Sequence, residues 1–245
     1  TNEIAQSVCA CGDGVHADTY ARAWLHNGFV EIDDEKMSKS LGNFFTVRQV
    51  LERYEAEGLR LFLLGTHYRR DFNFSDTILA EAERRLGYLY ETVEKADRAA
   101  AGAAPGADDG LVERCREALD DDFNTPQVLG LLADAFTAAN ALCDLKGKKT
   151  PEQRARLAAF ARDTRLVGET LGVLQRPPAE ALLALRDKAA GRRGIDGAAV
   201  EARLAERAEA RKAKDFARSD AIRDELLAQG VAIMDGPAGT SWKVV

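Results

Sequence analysis

Lys36-Met37-Ser38-Lys39-Ser40 puts two ammonium groups and two hydroxyls on one short polar segment. Lysine heads on flexible stems, with hydroxyl donors between them, suit a polyphosphate whose negative charge grows during group transfer. The plainer reading is a solvated turn, the usual fate of short Lys/Ser segments.

A second pattern lies near the carboxyl end. Arg207, Arg211, Lys214 and Arg218 fall at offsets of 0, 4, 7 and 11, which on one continuous helix would line a single basic face. Such a face can hold backbone phosphates, while an aromatic such as Phe216 or Trp242 stacks on an unpaired base. Glu206, Glu209 and Asp215 intervene and can pair with the cations, so spacing alone favours a solvated face. A third group, Cys9, Cys11 and His16, invites a metal. Its one-residue gap between cysteines departs from the usual spacing of zinc pairs and no fourth ligand is evident, so a structural or incidental role is preferred.

These groups need elements to hold them. Ala17 to His26 is helix-compatible and ends at Asn27-Gly28, a pair suited to a left-handed helix terminus, after which Phe29 to Ile32 reads as a strand. Asp33-Asp34-Glu35 turns the chain into the two-lysine loop, and Thr46 with Gln49 forms a capping-box pattern for the next helix. Val47, Val50, Leu51 and Tyr54 recur at helical spacing, Leu59 to Leu64 suggests a buried helix, and a long helical pattern runs from Asp76 to about Ala101. Residues 101–107 are small and contain Gly and Pro, as a linker would be. Two or three helices are expected between Gly110 and Leu174, broken at residues 146–150, in the manner of a small antiparallel bundle. Beyond Pro177-Pro178 and the stretch from Gly191 to Gly197, a charged helical pair spans Val200 to Gln229. A hairpin then joins residues 231–234 to 241–244 across the turn at 235–239.

Composition sets limits on the partners. A formal net charge of −6 over 245 residues argues against binding nucleic acid through bulk electrostatics, so any RNA contact must be local. Four cysteines are too few for a secreted disulfide scaffold, and Cys115 and Cys143 sit in helical patterns as ordinary core residues. With no apolar stretch of bilayer length and no signal-peptide pattern, the expectation is a cytoplasmic protein with no membrane partner. The opening Thr1-Asn2-Glu3 has no initiator methionine and runs straight into a helix-like pattern, as an excised piece would. His26 and His67 are expected to pack or hydrogen-bond rather than catalyse.

The two-lysine loop is similar to the KMSKS signature of class I aminoacyl-tRNA synthetases. Its surroundings, Trp24 to Val30 and Ser40-Leu41-Gly42-Asn43-Phe44, resemble the cysteinyl family in particular. Further matches are Leu59 to Leu64 with Thr66-His67-Tyr68-Arg69, then Ala118-Leu119-Asp120-Asp121-Asp122-Phe123-Asn124-Thr125-Pro126, and Asp235-Gly236-Pro237 with Thr240-Ser241-Trp242. The resemblance continues nearly to Val245.

It implies that Lys39, with Lys36 as the supporting cation, contacts the phosphates of ATP within a loop formed with Met37, Ser38 and Ser40. It implies too that the terminal domain reads the anticodon of the tRNA for cysteine through Arg207, Arg211, Phe216, Asp220 and Asp235, with Phe216 in place of a family tryptophan. Of the family's zinc ligands only Glu3 maps here, and Thr1 replaces the usual glutamate, so zinc belongs to the complete enzyme and is not expected on this chain alone, because one carboxylate cannot hold a tetrahedral ion. The HIGH signature is absent, and one edge of a nucleotide cleft supplies charge without orientation.

The expected activity is that of a cysteine–tRNA ligase, forming cysteinyl-adenylate from cysteine and ATP, with this chain as an inactive, monomeric C-terminal portion. The competing reading is a non-catalytic tRNA-binding module, and the tail from Val200 to Val245 argues against a related ligase that joins cysteine to an amino sugar. The expected fold is mainly α. Residues 1–45 end a Rossmann-like α/β catalytic domain, 46–104 form stem-contact helices, 105–176 a helical bundle, and 177–245 a small α+β domain.

Overall fold

The computed structural model describes residues 2–11, 20–21, 23–32, 35–36, 46–107, 109–236 and 239–245. Helix α1 (Asn2–Cys11) opens the chain. Strand β1 (Val30–Ile32) pairs antiparallel with β2 (Glu35–Lys36) and parallel with β3 (Phe72–Phe74), with Val30 opposite Phe72 and Ile32 opposite Phe74. A parallel pair needs a long crossover. It is supplied by α2 (Val47–Arg53) and α3 (Ala56–Leu64).

The start of α2 is set by the expected reciprocal cap. The Gln49 N–H donates to Thr46 Oγ1 at 3.2 Å and the Thr46 N–H to Gln49 Oε1 at 2.9 Å, which satisfies two backbone donors that a helix start otherwise leaves open. Among the described residues from 17 to 26 no helix forms, contrary to the sequence reading. The competing partner is the segment before β3. The Gly28 N–H donates to the Tyr68 carbonyl at 2.8 Å, the Phe29 N–H to Asp71 Oδ1 at 2.6 Å, and the Phe72 N–H to the Phe29 carbonyl at 3.0 Å. Gly28 is not left-handed either. It is glycine because a Cβ there would lie 2.1 Å from the Arg70 carbonyl oxygen, so close backbone approach is what the position requires.

Among the described residues the helical remainder has two principal cores, with two smaller buried clusters beside them. Helix α4 (Asp76–Ala100), capped by Ser75, buries Leu79, Leu86, Leu89, Tyr90, Val93 and Ala96 along one face, the i, i+3, i+4 stripe of an amphipathic helix. Helices α6 (Thr125–Asp144) and α7 (Pro151–Leu171) pack against it, and α5 (Leu111–Asp120) packs against those two. Cys115, Leu132, Phe136 and Val167 join Leu86 and Tyr90 in this core, so Cys115 packs as expected. Burying a side chain the size of Leu or Phe stabilises by about 1.5–3 kcal/mol, which outweighs the helix propensities involved.

Helix α8 (Pro178–Arg192) was not read from the sequence, although Pro178 stands in the first turn where proline is tolerated. Helices α9 (Gly197–Lys212) and α10 (Phe216–Ala228) follow, with the antiparallel pair β4 (Val231–Gly236) and β5 (Gly239–Val244). Val200, Leu204, Ile222, Leu226, Val231 and Trp242 form the second core. Pro237 and Ala238, part of the expected turn, lie outside the described residues. Among the described residues no helix is long and apolar enough to cross a membrane.

Candidate RNA-binding surface

The basic stripe does not exist as one helix face. Helix α9 ends at Lys212, Lys214 takes a left-handed backbone (φ 63°), and Asp215 caps α10 by accepting from the Arg218 N–H at 3.0 Å. This break separates Arg207 and Arg211, on α9, from Arg218, on α10. Arg218 is spent on Glu206, with Nε and Nη2 donating to Glu206 Oε1 at 3.0 and 2.5 Å.

Arg207 and Arg211 converge instead on one carboxylate from β4. Arg207 is buried and forks onto Asp235, Nη1 to Oδ1 at 3.0 Å and Nη2 to Oδ2 at 2.8 Å. Arg211, half-exposed, donates to Asp235 Oδ2 at 3.0 Å, and the Thr240 hydroxyl donates to Oδ1 at 2.9 Å. The Arg207 fork, followed by the Thr240 hydroxyl, holds the Asp235 carboxyl well below the usual carboxylate range, and the same fork raises Arg207. Four side chains from α9, β4 and β5 are thereby fixed together. Asp235 serves as their anchor, and Arg211 keeps a face toward solvent.

Phe216, the first residue of α10, is 62% exposed, an orientation that leaves a ring free to stack. Asp220, one turn further on, is exposed and lies 3.5 Å from Arg223 Nη1. Trp242 cannot share the stacking role suggested for it. It is 2% exposed, its Nε1 donates to Glu201 at 2.8 Å, and the Arg186 guanidinium sits 4.3 Å from its ring centre. A cation and a hydrogen bond make the indole part of the core.

At the other end of the chain, Lys36 closes β2 opposite Glu31. Met37, Ser38, Lys39 and Ser40 lie outside the described residues, as does His16. Glu3 is exposed in the first turn of α1, where hydrogen bonding to the helix-start backbone lowers its carboxyl. Cys9 is exposed on the same helix. Among the described residues no three His, Cys, Asp or Glu side chains come together as metal ligands, so a tetrahedral zinc does not fit the described set.

Sequence reasoning missed a second polar cluster. The Tyr68 hydroxyl donates to Asp122 Oδ1 at 2.6 Å, while Arg69 donates through Nε to Oδ2 at 2.5 Å and through Nη2 to Oδ1 at 3.0 Å. Arg69 and then Tyr68 bring the Asp122 carboxyl down to about 2. Asp122 and Phe123 both hold positive φ, 53° and 55°, a strained pair for non-glycine residues. The Thr125 hydroxyl donates to the Leu64 carbonyl at 2.9 Å. The turn before α6 is thus pinned to the segment that pairs with Gly28 and Phe29. Asn124 and Pro126 announce a helix start here, but no residue signals the left-handed pair.

Three family profiles match in sequence. Residues 1–84 match the class I (C) tRNA synthetase catalytic domain, 114–175 the DALR domain, and 197–242 the cysteinyl-tRNA ligase anticodon binding domain. A cysteine–tRNA ligase from Anaeromyxobacter sp. (strain K) is 73% identical over 244 residues, covering 100% of this chain and 51% of its own length. One from Geobacter metallireducens is 44% identical over 254 residues, covering 99% of this chain and 51% of its own length. The chain therefore spans about half the length of the curated relatives it matches.

Proposed function

The chain belongs to the cysteinyl-tRNA ligase family, and from this premise we propose that it supplies the signature loop and the tRNA-reading parts of an ATP-dependent ligase that joins cysteine to its tRNA. The observation that carries the proposal is the joint seating of Arg207, Arg211 and Thr240 on Asp235, in the same unit that leaves Phe216 exposed. Preoriented arginines and an exposed aromatic ring in one small unit are the kind of groups that a local RNA contact uses, which suits a chain of net charge −6.

In this reading Phe216 stacks on an anticodon base. Arg211 offers its solvent-facing N–H groups to the RNA, and Asp235 orients both arginines rather than meeting RNA alone. Asp220, exposed on α10, accepts a hydrogen bond from a base edge in the same reading. Lys39, assisted by Lys36, neutralises charge on the ATP phosphates while cysteine is activated as the adenylate. Glu3 is proposed as one zinc ligand of the complete enzyme; no chemical step on this chain is assigned to the metal.

Filter binding tests the proposal. A transcript of the tRNA for cysteine should bind the 245-residue chain about ten-fold or more tighter than one with a replaced anticodon, the discrimination expected from one or two base contacts. Equal binding of the two would refute it. Cysteinylation by this chain alone would show that the HIGH-bearing wall of the cleft is dispensable, and would refute the proposed division of labour.

A further inference from the structure

Helix α8 falls between the segments matched at 114–175 and 197–242, so neither family profile gives it a role. Its side chains enter both cores. Ala181 and Leu185 belong to the bundle, and Ala190 belongs to the C-terminal unit. A helix packed at both ends leaves no loose joint between them.

Two cations on α8 reach back to α2. Lys188 Nζ donates to the Leu51 and Glu52 carbonyls at 2.8 and 2.9 Å, and Arg192 Nη1 donates to the Arg53 carbonyl at 2.8 Å. These carbonyls sit in the last turn of α2, where a helix supplies no N–H donors of its own for them and its dipole favours positive charge. Arg192 is further fixed by Glu83 at 2.6 Å and by the Tyr54 ring, 4.2 Å from its guanidinium carbon. The other face of α8 carries Arg186 against Trp242. One rigid helix thus joins the unit that bears Phe216 to the helix that follows the two-lysine sequence.

We propose that Lys188 and Arg192 are positioning residues for the ligase reaction: by gripping the end of α2 they set where this helix sits relative to the RNA-reading unit. The inference rests on the ligase reading above. Neither residue touches RNA or nucleotide; both act through α2. Displacements of an ångström at a distance from the chemistry are enough to lower a rate strongly.

The test uses the full-length enzyme that contains this chain. Lys188→Met and Arg192→Met should each lower kcat for cysteinylation about ten-fold while leaving affinity for an isolated anticodon stem-loop within about two-fold. Lys188→Arg and Arg192→Lys should recover most of the rate, and amide exchange should quicken in α2 but not in α5. Among the described residues the partners of Lys188 are backbone carbonyls and no carboxylate pairs with it, so its variants keep the test open if Arg192→Met fails to fold. An active wild type whose Lys188→Met variant keeps full kcat, or loses stem-loop affinity in step with kcat, overturns this inference alone. A wild type that never attaches cysteine overturns the ligase reading, and this inference with it.

Discussion

Arg192 and Glu83 meet at 2.6 Å with side-chain exposures of only 14% and 4%, so one ion pair withdrawn from water fastens α8 to α4. Burial raises the Glu83 carboxyl; the Glu55 N–H, at 2.6 Å, and Arg192 pull the other way without cancelling it. Removing one partner leaves the other charge stranded, whereas removing both is far milder. Glu83→Gln should therefore destabilise by about 3 kcal/mol, and the double variant Glu83→Gln/Arg192→Met by clearly less than the sum of the single changes. Urea denaturation of the four proteins checks this. Because the native carboxyl is raised, the stability it confers is present below its unfolded value and is lost as pH rises through the native value. The Arg192→Met deficit should therefore shrink as pH is lowered.

Asp235 behaves in the opposite sense. Its native carboxyl is depressed by Arg207 and Thr240, so its contribution is present above the unfolded value and is lost as pH falls toward the native one. Asp235→Asn should flatten this acid limb. It should also destabilise by about 2 kcal/mol, because the buried Arg207 loses its counter-charge. Thermal melts across the acid range measure both effects, and weaker stem-loop binding should accompany them as Arg211 loses its anchor.

Phe216→Ala should weaken anticodon stem-loop binding by about 1–3 kcal/mol, the worth of one base–aromatic stack. Since the ring is 62% exposed, the melting temperature should barely move. Phe216→Trp should bind at least as tightly as the parent. Fluorescence titration with the stem-loop distinguishes these outcomes.

Asp122→Asn should loosen the tie between Tyr68, Arg69 and the turn before α6. The Gly28 N–H bonds to the Tyr68 carbonyl and the Phe72 N–H to the Phe29 carbonyl, and their exchange with deuterium should quicken while α7 stays protected. With the Asp122 carboxyl held down to about 2, the wild-type tie should weaken only as pH falls below the ordinary aspartate range toward that value.

Local rules were readable where one short stretch settles them. Thr46 and Gln49 satisfy each other three residues apart, and the α4 stripe repeats at helical spacing. The hairpin strands stand out as short runs at 231–234 and 241–244 on either side of a Gly- and Pro-containing turn, each with one buried residue, Val231 and Trp242. What escaped depends on residues distant in sequence. The Arg207–Asp235 fork is closed only by the fold of α9 against β4. The break at Lys214 uses a left-handed lysine where glycine would have signalled it. Trp242, an obvious stacking candidate by type, is occupied by Arg186 from another helix. Helix α8 hid behind two prolines, and its apolar residues serve two neighbours in turn, which blurs any single stripe.

That double membership governs how the gene could be cut. A fragment trimmed to residues 114–175 discards Ala181 and Leu185 and uncovers part of the bundle. One trimmed to 197–242 loses Ala190, and with it Arg186, which lies over the indole of Trp242. Neither excised piece keeps its own interior intact, so expression of either half demands that residues 178–192 travel with it, even though one helix cannot shield two separated halves at once.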